Sequence, residues 1–243
     1  MKSGSPNHPL VSILIPTLAL DEAVSATLDS IPMEKPDDLE VLVQHGGIGS
    51  GQFSGNRPLP ANLRIESRPD HGVYDAINRA LARARGRYIL VLGAGDTLRP
   101  GVLDAMRPHL GETPPLDAVY GDVWMMESDS RYFGEFKPHD FFRHNVCQQA
   151  LFYRRELFLD MGCFDTRYPV LSDYEFNVRL FSRPGVRIRY VPLIVCDYKG
   201  DGLSSRKWRD DPWIAEREEK VARAFGISKN KGRKKQHAAN QPE

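Results

Sequence analysis

The chain reads as an α/β protein built on a mixed, mostly parallel sheet flanked by helices. Short, nearly continuous apolar runs at residues 11–15 (VSILI), 39–43 (LEVLV) and 88–92 (YILVL) have the composition of strands buried on both faces. Helical patterns at 22–31 and 73–84 lie between them, giving the strand–helix–strand alternation of a parallel sheet. The length, 243 residues, suits one large domain of this class.

Residues 1–9 are polar with two prolines and are expected to form a loose leader. The first strand, 11–15, is expected to stop at Pro16, and Asp21 and Glu22 open a helix that ends at Pro32. The second strand, 39–43, runs into the glycine-rich loop His45-Gly-Gly-Ile-Gly-Ser-Gly51, and 62–66 alternates as a third. Helix 73–84 carries Val73, Ile77, Ala80, Leu81 and Ala84 on one face; strand 88–92 then stops at Gly93. In the second half, 118–126 and 131–136 read as strands, 154–161 and 173–182 as helices, and 186–191 and 193–197 as closing strands. A parallel half followed by a mixed half suggests a single domain, 10–200, with two lobes on one sheet. A helical extension, 201–227, follows, with a charged helix at 212–225; the tail, 228–243, is expected to be disordered and opens with five basic residues and no acid over 228–235.

Composition excludes several classes. A net charge of +1 gives no global argument for nucleic acid. No apolar run approaches the roughly 18 residues a membrane span needs, and the first residues lack the apolar core of a signal peptide. Cys147, Cys163 and Cys196 are odd in number without metal-site spacing, and read as reduced thiols of a cytoplasmic protein.

Ligands of such sheets sit beyond the carboxyl ends of the strands. There, strand 88–92 delivers Asp96 after Gly93, Ala94 and Gly95, small residues that let a polyanion approach the backbone. Asp96 reads equally as a ligand of a divalent cation or as a cap of the helix starting near Pro100. Asp70 precedes a helix whose polar face carries Asp75, Asn78 and Arg79; Asp70 also fits an N-cap, and Asp75 with Arg79 an i,i+4 ion pair. Asp173, at a helix start with Glu175, is a candidate general base; N-capping and a Glu175–Arg179 pair are the rival readings. Gln148 and Gln149 precede an apolar strand and can hydrogen-bond a sugar or phosphate, while His144 reads as structural or ligand-facing.

The order of these segments is more informative than any one of them. Val-Ser-Ile-Leu-Ile-Pro-Thr17, Leu-Glu-Val-Leu-Val-Gln-His45-Gly-Gly, Ser-Arg-Pro-Asp70-His-Gly-Val-Tyr-Asp75-Ala-Ile-Asn78 and Gly-Arg-Tyr-Ile-Leu-Val-Leu-Gly-Ala-Gly95-Asp96 follow one another. Val-Tyr-Gly-Asp122, Gln-Gln-Ala-Leu-Phe-Tyr-Arg-Arg, Gly-Cys-Phe-Asp165 and Ser-Asp173-Tyr-Glu-Phe continue the series. Over roughly residues 10–200 this resembles family 2 glycosyltransferases of the Rossmann-like GT-A fold, in particular bacterial enzymes of capsule, exopolysaccharide or lipopolysaccharide synthesis. The resemblance implies inverting transfer of a sugar from a nucleoside diphosphate (UDP or GDP) to a saccharide or lipid-linked acceptor, with Mg²⁺ or Mn²⁺. It implies Asp173 as base, Asp96 as metal ligand, and a donor site comprising Thr17, His45, Asp70, Asp75, Asn78 and Gly95.

The chain departs from that pattern in two places. The family's Asp-Gly-Gly-Ser-x-Asp-Gly loop has lost both acids, so His45 stands where an acid contacts the base, and the Asp-x-Asp motif is reduced to Asp96. A non-catalytic nucleotide-sugar-binding scaffold is therefore the alternative reading. A nucleotidyltransferase fits poorly, because Pro16-Thr-Leu-Ala-Leu20 has no glycine or lysine for a phosphate loop. The basic tail, with Trp208 and Trp213 nearby, suits either solubilisation or peripheral contact with the inner face of the plasma membrane.

Overall fold

The computed structural model describes residues 8–33, 38–47, 60–200, 209 and 211–229. Residues 48–51 of the glycine-rich loop, Trp208 and 230–243 of the tail lie outside the described residues, as does most of the leader.

The strands are β1 (Val11–Thr17), β2 (Leu39–His45), β3 (Leu63–Ser67), β4 (Tyr88–Val91), β5 (Thr97–Leu98), β6 (Ala118–Met125), β7 (Ser130–Tyr132), β8 (Leu151–Arg154) and β9 (Ile188–Tyr198). The helices are α1 (Glu22–Asp29), α2 (Val73–Arg83), α3 (Val102–Leu110), α4 (Leu157–Asp160), α5 (Ser172–Phe181) and α6 (Trp213–Phe225). The described strands form one sheet in the order β3-β2-β1-β4-β8-β6-β9-β5, with β7 paired to β6. β3, β2, β1 and β4 are mutually parallel; β8 runs antiparallel to both β4 and β6, and β9 is parallel to β6.

The apolar runs are continuous because both faces of the sheet are covered. Leu14 and Leu42 pack with Tyr74 and Ile77 of α2 and Phe176 of α5. Their neighbours Ile13, Ile15, Val41 and Val43 point the other way, into a core with Val24 of α1 and Met106 of α3. Each face thus removes a full stripe of apolar area from water, at about 25 cal/mol per Å².

Several boundaries differ from the sequence reading. β1 continues through Pro16 to Thr17. Leu14 accepts from the Leu92 N–H, so alternate residues of β1 turn their backbone toward β4, whose pairing ends at Val91. Pro16 falls beyond that end, and its missing donor leaves no ladder bond open. Residues 186–191 and 193–197 do not form two strands but the single β9, in which Pro192 sits where the register with β6 shifts. Gly121 lies at that irregularity because a Cβ there would stand 2.4 Å from the Leu193 carbonyl oxygen. β7 is shorter than 131–136, since the chain turns at Gly134 (φ 108°), whose N–H is taken by Asp122. The helix expected over 154–161 is the single turn α4, because Arg154 belongs to β8 and pairs with Asp117 at 2.9 Å.

Helix α6 packs on α5. Its link is Asp211: one carboxylate oxygen accepts from Val170 N (2.7 Å) and Leu171 N (3.0 Å), the other from Trp213 N (2.9 Å). Trp213 is buried against Tyr168 and Tyr174. Among the described residues no helix is long and apolar enough to cross a membrane.

Candidate active site

The carboxyl ends of β1, β2 and β3 bring Thr17, His45 and Ser67 into register. His45 is buried, and its ring joins the neighbouring segments: Nε2 lies 3.2 Å from the Leu18 carbonyl and Nδ1 3.2 Å from Ser67 Oγ. A carbonyl only accepts, so Nε2 carries a proton and donates it to Leu18. Thr17 Oγ1 donates to the Ala19 carbonyl at 2.6 Å and shapes the same loop.

Asp70 leans over this edge. A Cβ on Gly46 would stand 1.6 Å from Asp70 Oδ2, so the glycine is what admits the carboxylate. Asp70 Oδ1 accepts from Gly72 N at 2.9 Å, and Gly72, at φ 126°, occupies the cap position of α2 that the sequence offered to Asp70. Asp75 makes the ion pair with Arg79 at 2.8 Å and also accepts from His71 N at 2.9 Å; that backbone bond, ahead of the arginine, lowers its carboxyl below the usual range. Asn78 uses its whole amide on Phe164, donating to the carbonyl at 2.9 Å and accepting from the N–H at 3.1 Å. It thereby ties α2 to the segment following α4.

Asp96 does not cap a helix: α3 begins at Val102 with Gly101 at its cap. Its buried carboxylate accepts from Lys199 N (3.0 Å) on Oδ1, and from Gly93 N (3.2 Å) and Gln149 Nε2 (3.2 Å) on Oδ2. Gly95, at φ 97°, donates its N–H to Thr27 Oγ1 at 2.8 Å, and a Cβ there would meet Lys199 Cδ at 3.0 Å. Among the described residues no group of three or more His, Cys, Asp or Glu could hold a metal ion. A single carboxylate that already accepts three hydrogen bonds is a sparse donor set, and a cation held there would take its remaining ligands from substrate phosphates and water.

Asp173 is the second residue of α5, with Leu171 at the cap, so it does not serve as the N-cap either. Tyr74 Oη lies 2.7 Å from its Oδ1, and Asn145 Nδ2 donates to its Oδ2 at 2.7 Å. Burial outweighs these donors and raises its carboxyl to about 6. Glu175 does not join it, being paired with Arg179 at 2.7 Å. Cys147, just before β8, has a thiol pushed up by burial first and then by Asp173, Asp96 and Asp122 in falling order. Asp122 itself is buried and held by Arg131, by Tyr190 Oη at 2.7 Å and by Gly134 N at 2.7 Å. His144 packs its ring on Phe133 (centroids 4.8 Å apart), an environment that depresses its protonation through burial.

The structure thus gathers Thr17, His45 and Asp70 at one end of the edge and Asp96, Cys147 and Asp173 at the other, with Asp75 and Asn78 tied to Arg79 and Phe164. A cavity lined by His8, Arg85, Arg87 and Arg155 opens at the opposite ends of the strands, away from these acids. Sequence reasoning missed Tyr74, Asn145 and Lys199. Tyr74 stands inside the quoted 67–78 segment, but only the fold shows that it and Asn145 face Asp173.

A mixed, mostly parallel sheet with this strand order and with acids on its carboxyl-end loops is the arrangement of the GT-A class of glycosyltransferases. The chain is 39% identical over 202 residues to a PGL/p-HBAD biosynthesis glycosyltransferase of Mycobacterium bovis, covering 80% of this chain and 78% of that protein. The Mycobacterium tuberculosis protein of that description matches to the same extent. The chain belongs to this family of glycosyltransferases. Among solved structures, S. aureus TarS 1–349 in complex with UDP-GlcNAc superposes with a TM-score of 0.66 at 15% identity, over 91% of this chain and 74% of that one. The Pyrobaculum calidifontis mannosyltransferase in complex with GDP-Man and Mn²⁺ gives 0.61 at 21% identity, over 85% of this chain and 62% of that one. These two share the fold. No protein-family model matches the chain.

Proposed function

We propose that the chain is an inverting glycosyltransferase that moves a sugar from a UDP- or GDP-linked donor to an acceptor hydroxyl in the synthesis of a bacterial surface glycolipid or polysaccharide. The observation that carries this reading is Asp173, a carboxylate held through both oxygens and raised to about 6, where it is ionised at neutral pH yet basic enough to take a hydroxyl proton. The acceptor oxygen, losing its proton to Asp173, attacks the anomeric carbon on the face opposite the diphosphate. The carbon–phosphate oxygen bond breaks with its electron pair, and the configuration inverts.

Thr17, His45, Asp70 and Gly95 form the donor wall in this reading, His45 by tying the Leu18 and Ser67 segments together. Asp75 and Asn78 act one layer back, through Arg79 and Phe164. Asp96 would hold Mg²⁺ or Mn²⁺ against the donor's phosphates, and such a cation, when bound, neutralises charge on the leaving diphosphate. The mycobacterial relatives' assignment to PGL/p-HBAD biosynthesis favours a lipid-linked or saccharide acceptor, and the basic residues of the 228–243 tail suit contact with an anionic membrane. The residues assigned to donor, cation and base all lie within 10–200.

Incubation with UDP- and GDP-sugars and Mn²⁺ tests this. Release of nucleoside diphosphate by the wild type but not by Asp173→Asn is the expected result. The loss of the loop acids keeps one second reading in view, a nucleotide-sugar-binding scaffold. Donor binding without turnover, equal in wild type and Asp173→Asn, would establish that reading in place of the first.

A further inference from the structure

Asp173 offers two oxygens, and the groups around them are not equivalent. On one side is an amide whose orientation is locked. Asn177 Nδ2 donates to the Val146 carbonyl at 3.1 Å, and a carbonyl can only accept, so the NH₂ end of Asn177 is fixed there. The same Nδ2 donates to Asn145 Oδ1 at 2.9 Å, while Asn177 Oδ1 accepts from Tyr153 Oη at 2.9 Å. Asn145 must therefore present its own NH₂ to Asp173 Oδ2, at 2.7 Å, in every protonation state of the carboxyl.

On the other side is a hydroxyl with a choice. Tyr74 Oη lies 2.7 Å from Asp173 Oδ1 and 3.0 Å from the Val170 carbonyl oxygen, yet it has one proton to give. Against an ionised Asp173 the charge-assisted bond to Oδ1 prevails. Once Oδ1 is protonated, the phenol can turn to Val170 and lose no hydrogen bond. Tyr74 is buried, so an unmade bond there would be costly.

A protonated carboxyl has one oxygen that donates and one that accepts. We infer that Oδ1 of Asp173 is the oxygen that takes the acceptor's proton, and that Asn145 and Tyr74 are positioning residues that impose this choice, the first by a fixed donor and the second by a reversible one. The inference rests on Asp173 being the base. In the step, the acceptor O–H bond breaks and the Oδ1–H bond forms. Oδ2 keeps its bond to Asn145, and Tyr74 turns its O–H from Oδ1 to the Val170 carbonyl, keeping its own proton. The other titratable groups acting on Asp173 are Tyr132 on β7, Cys147 before β8, Tyr153 on β8 and Tyr174 on α5, with Arg217 of α6 reaching Tyr174. All but the arginine are neutral near pH 6, so a shift in Asp173 reports its direct partners.

The test is the pH dependence of kcat/KM for wild type, Tyr74→Phe and Asn145→Asp, together with a ¹³C NMR titration of the Asp173 carboxyl in the substrate-free protein. Tyr74→Phe keeps the buried ring and removes the donor to Oδ1; loss of one bond to a charged group is expected to raise the carboxyl by about 1 unit and move the acidic limb with it. Asn145→Asp replaces the fixed donor with a second acid; the limb is expected to move further, with kcat reduced about 10-fold or more and donor KM unchanged. An Asp173 titration unmoved by both substitutions overturns the assignment. Thermal unfolding accompanies each variant, so that a merely misfolded protein is recognised by its melting; Tyr74→Phe, which retains the packing, then decides. Asp173→Asn separates the two levels: if it remains active the base reading fails, while the NMR titration still tests whether Tyr74 and Asn145 govern this carboxyl.

Discussion

The two halves of the sheet hold their polar groups in different ways. At the carboxyl ends of β1 to β3, Thr17 bonds to Ala19, Asp70 to Gly72, and Asp75 to His71 and Arg79, all near in sequence, while His45 bridges to Leu18 and Ser67. Beyond β4, Asp173 is held by Tyr74 from α2 and Asn145 from the segment before β8, and Asp96 accepts from Gln149 and Lys199 as well as from its neighbour Gly93. Locally bonded loops can change their sequence and keep their shape, which suits a surface that must fit a particular donor. A carboxylate assembled from distant segments is fixed only when the whole sheet is formed, which suits a step common to every substrate.

Substitutions should separate the halves in order of size. Asp173→Asn is expected to lower kcat about 10³-fold with the protein still folded, since it removes the proposed base. Steady-state kinetics with circular dichroism checks it. Asp96→Ala should cost about 10²-fold in kcat and abolish any response to added Mn²⁺; retained activity and retained metal response would refute the role given to Asp96. For the wild type, kcat/KM should fall with decreasing pH below about 6, because the base works ionised and burial has raised its carboxyl to about 6. A profile flat to pH 5 would rule out that carboxyl as the controlling group.

Smaller effects are expected away from the acids. Asn78→Ala leaves the Phe164 backbone without its partner and should destabilise the fold by about 1–3 kcal/mol in urea titration. Asp75→Asn should change stability by less than about 1 kcal/mol, since the ion pair with Arg79 is only partly buried and an amide can still accept from His71 N. A large rise in donor KM from Asp75→Asn would move that residue into direct contact with donor and blur the distinction between the halves.

Much of the frame was legible because its physics is local. The apolar runs of β1, β2 and β4 and the apolar face of α2 are visible in any short window of sequence, and helix starts follow from capping residues such as Asp21. The joining of 188–198 into one strand was not legible, since Pro192 is tolerated only because β6 shifts register opposite it. The capping readings of Asp96 and Asp173 failed for a related reason: glycine and leucine take the cap positions of α3 and α5, and tertiary donors claim the acids instead. Asn145 carries no local sign at all, as its role depends on Asn177 and Asp173 far along the chain.

Asp211 gives the C-terminal helix a place in the chemistry. Its carboxylate grips Val170 and Leu171, the residues leading into α5, and also Trp213 at the start of α6. The Val170 carbonyl is in turn the second acceptor for Tyr74. A boundary drawn at residue 200 from sequence would therefore cut through the support of the base. An expression variant shortened to that point would keep every described strand of the sheet and still present Asp173 on a helix whose entry at Val170 and Leu171 has lost its support, so for this protein the smallest folded piece and the smallest active piece are expected to differ.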